Sequence, residues 1–412
     1  MLWRFSLYGF LKNQRYFEPF LVLIFLEKGL SFFSIGLLIG FREVAVNLLE
    51  IPSGAIVDVC GRRRVMILSF VAYVVSFAVF GLAEHVPALL LAMFLFAIGE
   101  AFRTGTHKAL IFTWLRQQGR IDERLQVYGY TRSWSKYGSA LSVVLAALFV
   151  YTSDSYTRVF YYSIVPYLVG IANFLGYPRE LDADLDPRPS AGKVVAHLRE
   201  ALGMTMGRPD LRRLLLESMG FGGVFEAAKD FLQPVLKAAA IGAAAHWILA
   251  QEMSETQRVT LLVGPVYFLL HLLSGLASRN AHRVALWAGG EEGAARRLWG
   301  ASAIIFAGLG LAAYFGNNGL LIAAFVILHA VQNFWRPVLI SRFDAHGAES
   351  QGATLLSIES QGRRTSSMLI APALGLAIDR AHTLQTAGAF WPVGALGFAV
   401  ALAFLALRPI RR

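Results

Sequence analysis

The chain has 412 residues, of which 56% are hydrophobic and 16% are charged, and its mean hydropathy is +0.53. Soluble domains average about 45–50% apolar and about 25% charged residues, so this composition excludes an ordinary water-soluble enzyme and favours a protein with several membrane spans. The net charge of +11 would suggest nucleic-acid binding in a soluble protein, but it is typical of basic cytoplasmic loops in a membrane protein.

Segments of roughly 20 mostly apolar residues, the length that crosses a bilayer, occur twelve times along the chain. The first segment is the weakest, because its uninterrupted apolar run extends only from Pro19 to Leu26. The predicted spans, numbered 1 to 12 in chain order, cover residues 7–28, 32–57, 65–83, 87–112, 126–151, 158–177, 211–236, 258–279, 297–315, 318–341, 353–379 and 386–407. We therefore predict an all-α membrane protein with twelve transmembrane helices in two six-helix halves around a central cavity.

Basic residues in the loops predict the orientation and the domain boundaries. With the N-terminus inside, Lys and Arg concentrate in the inner loops, so both termini are expected in the cytoplasm. The longest polar stretch divides the chain into an N-terminal half (1–178), a cytoplasmic linker (179–210) and a C-terminal half (211–412). Residues 194–206 of this linker have an amphipathic pattern, which predicts a helix on the inner membrane surface.

Charged side chains occur inside many of the predicted spans, although each costs about 2.5–3.5 kcal/mol at the bilayer centre. Spans 3, 6, 9 and 12 carry none in their interiors, so we expect these four to face lipid and the others to surround a polar cavity. Structural ion pairs between helices are the alternative for any single residue. The residues assigned to proton coupling or to the substrate cavity are Glu18, Glu43, Glu100, Arg103, Arg132, Lys136, Glu226, Asp230, Arg336 and Glu359.

A specific motif lies at the end of span 2, where the chain reads Gly54, three residues, Asp58, two residues, Gly61 and then Arg62, Arg63 and Arg64. This stretch resembles the signature loop between helices 2 and 3 of the major facilitator superfamily. The resemblance implies that the loop latches the two halves when the cavity faces outward, with the Asp58 carboxylate near the N-terminus of span 11.

Further residues support this resemblance or depart from it. Residues 275–283 look like a decayed second copy of the motif. Span 5 lacks the Gly-Pro motif of drug–proton antiporters, so antiport of hydrophobic drugs loses support. Thr113 stands where some relatives have an acid, which leaves Asp122 or Glu123 as candidate acid partners of the loop.

These features predict a secondary active transporter of a small organic solute that is coupled to protons and works by alternating access. Glu18, Glu100, Glu226 and Asp230 are the expected proton carriers, and Arg103, Arg132, Lys136 and Arg336 the candidate ligands of an anionic group on the substrate. A non-transporting membrane sensor or assembly partner, and a lipid-handling flippase or membrane enzyme, remain alternatives.

The remaining expectations concern partners and location. The sequence shows neither a nucleotide-binding P-loop nor a cluster of metal-ligand residues, so no catalytic residue, cofactor or metal is expected. The expected partners are the solute, protons and membrane lipid but not nucleic acid. Lys12 and Arg15 break the first apolar run, so no cleavable signal peptide is expected. We expect a monomer in a bacterial inner membrane.

Overall fold

The computed structural model describes residues 1–182, 192, 199, 202–203, 205–244, 252–346, 352–384 and 388–407. Within these residues every regular element is a helix, which confirms the predicted all-α class. The predicted linker helix lies largely outside the described residues.

The described chain contains more separate helices than the twelve predicted spans. They are α1 (Leu2–Leu11), α2 (Leu21–Glu27), α3 (Phe32–Cys60), α4 (Arg62–Leu82), α5 (Val86–Arg103), α6 (Thr106–Gln117), α7 (Arg124–Ser153), α8 (Val159–Leu175), α9 (Pro209–Ala228), α10 (Leu232–Ala244), α11 (Glu255–Trp287), α12 (Glu291–Tyr314), α13 (Asn318–His346), α14 (Gly352–Thr383) and α15 (Trp391–Ala406). The predicted count of twelve is not confirmed, because spans 1, 4 and 7 are each broken into two helices.

Each break has a local cause in the sequence. Pro19 lies in the short 3₁₀ turn between α1 and α2, where it has no N–H to donate. Gly105 adopts a φ of +79°, a conformation that glycine tolerates and that ends α5. Pro234 cannot donate to the carbonyl of Asp230, and a 3₁₀ turn over Lys229–Phe231 separates α9 from α10.

Seven helical segments of the described chain are long and apolar enough to cross a membrane. They are Phe32–Glu50, Arg62–Leu82, Val86–Gln117, Ile121–Ser153, Glu255–Trp287, Glu291–Tyr314 and Asn318–Ala345. Val159–Leu175 and Trp391–Ala406 are shorter apolar helices. These lengths and compositions are those of an integral membrane protein.

Contacts between Cα atoms divide the chain into two compact units. The first comprises Met1–Phe20 and Phe41–Ala196, and the second comprises Leu21–Gly40 and His197–Arg412. In the first unit α1 packs on α7, and α4 packs on α5 and α8. In the second unit α9 packs on α14, and α12 packs on α13 and α15. In the first unit these contacts join span 1 to span 5 and span 3 to spans 4 and 6. In the second unit they join span 7 to span 11 and span 9 to spans 10 and 12, which are the same pairs shifted by six spans. The second unit therefore repeats the packing of the first.

Aromatic side chains form much of the core in both units. In the first unit the rings of Phe70 and Tyr167 are fully buried, with their centroids 4.9 Å apart. In the second unit Trp335 stacks on Phe221 at 4.4 Å and meets Trp299 edge-on at 5.4 Å. These rings bury large areas of apolar surface and hold the helices that carry the charged residues.

Candidate functional site

Glu100 lies near the break between α5 and α6 and joins two arginines. Arg15 Nη2 donates to its Oε2 over 2.8 Å, and Arg103 Nη2 pairs with its Oε1. The Tyr73 hydroxyl donates to the same Oε2 over 2.6 Å. Both oxygens are therefore engaged, which favours a structural role for Glu100 over that of a proton carrier.

Arg15 connects this cluster to the break in span 1. Its Nη1 lies 3.1 Å from Glu18 Oε1, and its Nε donates to the Tyr167 hydroxyl over 3.4 Å. Tyr167 in turn donates to the Lys12 carbonyl over 2.9 Å. Sequence analysis did not assign Arg15 or the tyrosines, although an arginine three residues before Glu18 was a signal for an ion pair within one turn.

The other predicted residues of the first unit are placed differently. Glu43 pairs with the adjacent Arg42 over 2.7 Å. Arg132 and Lys136 are exposed on one face of α7, and no described carboxylate forms an ion pair with either of them.

In the second unit Glu359 is completely buried and accepts two hydrogen bonds at a single oxygen. Arg336 Nη1 lies 2.5 Å from Glu359 Oε1, and the Ser218 hydroxyl donates to the same atom. Arg363 Nε is 3.8 Å from that oxygen. Glu359 Oε2 is buried and has no hydrogen-bond partner within the described chain. The carboxyl group therefore keeps one oxygen available for a proton.

Arg363 extends this cluster toward the break in span 7. Its Nη1 lies 3.4 Å from Glu226 Oε1, and Lys229 Nζ lies 2.6 Å from Glu226 Oε2. Asp230 is half-buried in the adjacent 3₁₀ turn. The predicted residues Glu226, Glu359 and Arg336 are thus joined through Arg363 into one chain of charges.

The signature loop is held by contacts within the first unit. Gly61 adopts a φ of +88°, and the Arg63 backbone N–H donates to Asp182 Oδ1 over 2.8 Å. Arg63 Nε and Nη2 donate to the Phe174 and Leu175 carbonyls at the end of α8, both over 3.0 Å.

The other predicted loop residues complete this description. Arg62 Nη1 donates to Thr113 Oγ1 over 2.6 Å. The partner of Arg62 is thus the hydroxyl of Thr113 and neither of the two acids, Asp122 and Glu123, that the sequence suggested. Arg64 is exposed. Glu123 pairs with Arg120 over 2.6 Å. Gly54 lies within α3, and the side chain of Asp58 lies outside the described residues.

A second buried ion-pair network, which sequence analysis did not identify, lies where α9, α12 and α13 meet. Arg342 and Glu217 are each 1% exposed, and Arg342 Nη1 lies 2.6 Å from Glu217 Oε2. Arg342 Nε lies 2.7 Å from Glu292 Oε1, and Arg213 Nε lies 2.8 Å from Glu217 Oε1. Since Arg342 bridges two acids from different helices, this network ties three helices of the second unit together.

Residues 13–357 match the model of the family described as the Major Facilitator Superfamily. The chain belongs to the major facilitator superfamily. This confirms the family that residues 54–64 indicated and makes the protein a membrane transporter by family. A 99-residue stretch, 24% of each chain, is 27% identical to an uncharacterized MFS-type transporter, YxaM, of Bacillus subtilis (strain 168).

Solved structures of major facilitator proteins share the fold of this chain. The nucleoside transporter NupG superposes with a TM-score of 0.77 at 12% identity, over 98% of both chains. A D-xylose–proton symporter superposes with a TM-score of 0.68 at 12% identity, over 98% of this chain and 96% of the other. A POT family transporter in complex with 5-aminolevulinic acid gives a TM-score of 0.69 at 12% identity, over 98% and 95%.

Proposed function

We propose that the protein is a secondary active transporter that couples the movement of a small organic solute to protons by alternating access. The observation that carries this proposal is the buried carboxyl group of Glu359, which has Arg336 at one oxygen and no described partner at the other. A carboxyl group that is alternately ionised and protonated is what a proton-coupled cycle requires.

The ion pair between Glu359 and Arg336 links binding of a proton at Glu359 to release of the Arg336 side chain. An ionised Glu359 holds Arg336, because a buried carboxylate without a cation would be strongly destabilised. A proton that binds at Oε2 neutralises Glu359 and releases Arg336, whose side chain is 35% exposed. Loss of the proton restores the ion pair between Glu359 and Arg336. Each protonation step therefore decides whether the Arg336 guanidinium on α13 is paired or free to bind another group.

Glu226 responds to the proton at Glu359 but does not bind one itself in this proposal, because Lys229 and Arg363 engage both of its oxygens. Arg363 lies between Glu226 and Glu359, and can shift toward Glu226 when Glu359 is neutral. Because the two acids share one arginine, a proton bound at Glu359 also changes the ion pair between Arg363 and Glu226.

The known transporters with this fold also support the proposal. Their names describe carriers of nucleosides, of D-xylose together with protons, and of peptides, which are all small polar solutes. Similarity of fold does not select one of these substrates for this chain.

The test uses the full-length protein in proteoliposomes. Labelled nucleosides, sugars and short peptides are offered with and without an inward proton gradient, and counterflow exchange is measured at equal pH. For any solute that is taken up, Glu359→Gln should abolish gradient-driven uptake and retain exchange, because the neutral amide imitates the protonated acid. Glu255→Gln, at a half-exposed acid paired with Lys237, is the matched control and should keep both activities.

Three results would contradict the proposal. Gradient-driven uptake that survives Glu359→Gln would remove the proton-carrying role. A protein that is stabilised by a ligand but moves no solute would favour the membrane sensor instead, and scrambling of labelled phospholipid without solute uptake would favour the flippase.

A further inference from the structure

Helix α7 has two exposed faces of different chemistry. Successive residues of an α-helix are rotated by about 100°. Tyr137, Leu141, Val144 and Leu148 are exposed and fall within a sector of about 60°, which makes an apolar face suited to lipid. Arg132, Lys136 and Ser139 fall within another sector of similar width, about 140° away around the helix.

The polar face is therefore directed away from the face that suits lipid. Arg132 and Lys136 are exposed within the candidate membrane span Ile121–Ser153. A cation placed in lipid costs about 2.5–3.5 kcal/mol. Two cations one turn apart, with no ion-pair partner among the described residues, would therefore make a lipid-facing orientation of this sector very unfavourable. The polar face of α7 consequently lines a space that water reaches.

Lys12, which follows α1, adds a third basic side chain, and α1 packs against α7. The side-chain amides of Asn13 and Gln14 donate to the carbonyls of Ser135 and Gly138 on α7, over 2.5 and 3.0 Å. These bonds hold the end of α1 against α7. The charges of Arg103, Arg15 and Arg132 all act on Lys12, and the charge of Arg132 also acts on Lys136. Lys12, Arg132 and Lys136 are called the cationic triad below.

The charge of Glu100 acts on Lys12, but other cations already hold this carboxylate. Glu100 is shared by Arg15 and Arg103, and Glu18 pairs with Arg15. No described carboxylate forms an ion pair with any member of the cationic triad. Arg132 and Lys136, one turn apart on α7, repel each other, and an anion that joins them removes this repulsion.

We propose that the cationic triad binds an anionic group, a carboxylate or a phosphate, on the transported solute. Arg132 offers a planar pair of N–H donors that matches either group, and the two lysines add point charges. This assignment rests on the proposed transport function and narrows its substrate class to organic anions. It also separates substrate binding, on α1 and α7, from proton binding at Glu359 on α14.

The first experiment needs no known substrate. Ser139→Cys is introduced in a Cys60→Ser background, which places a single thiol on the polar face next to Lys136. Its rates of reaction with anionic sulfonatoethyl methanethiosulfonate and with the cationic trimethylammonium analogue are measured and normalised to those of a free thiol. Electrostatic focusing by the cationic triad should favour the anionic reagent about tenfold or more.

Variants then assign that preference to the named residues. Arg132→Gln combined with Lys136→Gln should bring the ratio of the two rates close to one, whereas the charge-conserving Arg132→Lys should preserve it. Lys108→Gln is the matched control, because the Lys108 ammonium lies over the rings of Phe112 and Tyr128, 5.4 and 5.5 Å from their centroids, outside the cationic triad. A thiol that reacts with neither reagent, or a ratio unchanged by the double substitution, would overturn the proposal.

The second experiment compares anions with matched neutral compounds. Inorganic phosphate, succinate and nicotinate should slow labelling of the residue-139 thiol at constant ionic strength, while succinamide and nicotinamide should not. Equal slowing by acids and amides, or slowing by none of the acids, would overturn the assignment. Labelling requires no flux, so a protein that shows anion preference without transport refutes only the proposed function. A protein that transports neutral solutes without anion preference refutes only the cationic triad.

Discussion

The carboxylate of Asp379, near the end of α14, accepts hydrogen bonds from the backbone N–H groups of Phe32 and Phe33 at the start of α3, over 3.0 and 2.8 Å. The first N–H groups of a helix have no partner within that helix and carry partial positive charge, so this carboxylate both satisfies and neutralises the end of α3. Gly375, one turn before Asp379, lies against the Phe32 carbonyl, and this close approach brings the carboxylate into range.

Asp379→Ala should lower the free energy of unfolding by about 0.5–2 kcal/mol, the usual cost of losing a helix cap. Asp379→Asn should cost less, because the amide oxygen can still accept one hydrogen bond. Thermal unfolding gives the size of the effect, and faster hydrogen exchange at residues 32–35 gives its location. Glu84→Gln, at an exposed acid between α4 and α5, is the control and should change neither measurement.

Gly61→Ala should destabilise the signature loop by about 1–3 kcal/mol, the cost of a non-glycine residue held at an unfavourable φ. Gly61 has a φ of +88°, and an added Cβ would meet the Asp182 carboxyl carbon at 2.8 Å. Gly129→Ala, within α7 and with no atom near the added Cβ, should be neutral or stabilising by up to about 1 kcal/mol. Equal unfolding temperatures for the two variants would contradict the role given to Gly61.

Glu100→Gln should destabilise the first unit strongly, because Arg15 and Arg103 both lose their shared carboxylate. Removing one partner of a buried ion pair typically costs about 3–5 kcal/mol. Tyr73→Phe removes one hydrogen bond to Glu100 and two longer ones from Arg15 and Arg103 but keeps the shared carboxylate, and should cost less, about 1–2 kcal/mol. The fraction of each variant that is recovered folded in detergent checks that Glu100→Gln is the more damaging change. A stable Glu100→Gln protein that loses only proton coupling would instead show that Glu100 is a proton carrier.

Arg342→Gln should cost about 3–5 kcal/mol of unfolding free energy, because Glu217 is then buried without its principal cation. Arg213→Gln removes a partly exposed cation from the same Glu217 and should cost less than about 1 kcal/mol. Chemical denaturation followed by tryptophan fluorescence distinguishes the two, since Trp299 and Trp335 lie in the core of this unit. Similar losses for both variants would contradict the bridging role of Arg342.

Sequence patterns predicted the class and the family because both depend on features that are local in the chain. Apolar runs of membrane length and the residues 54–64 are read without knowing which helices touch. The breaks in spans 1, 4 and 7 were missed, although Pro19, Gly105 and Pro234 were visible, because a proline or glycine within an apolar run can also leave a helix continuous.

Ion-pair partners were harder to predict than the charged residues themselves. Glu359 and Arg336 are 23 residues apart and Arg342 and Glu217 are 125 apart, so only helix packing decides that these pairs form. Arg103 and Arg132 looked equivalent as isolated cations. In the folded chain Arg103 forms an ion pair with Glu100, whereas Arg132 is exposed. This difference in environment makes Arg103 a structural residue and Arg132 a candidate binding residue.

Single cysteines should distinguish the helices that face lipid from the helices that line a polar cavity. The charge-free spans 3, 6, 9 and 12 correspond to α4, α8, α12 and α15, and each exposes large apolar side chains, among them Leu68, Val165, Ile304 and Leu402. In a Cys60→Ser background, cysteines at these four positions should react with a lipid-soluble maleimide but poorly with a charged one, because a charged reagent does not enter the lipid. Glu18→Cys and Thr104→Cys, at exposed positions in the breaks of spans 1 and 4, should react with the charged reagent. Equal reaction of both sets with the charged maleimide would contradict the assignment of α4, α8, α12 and α15 to lipid, since water would then reach all of them.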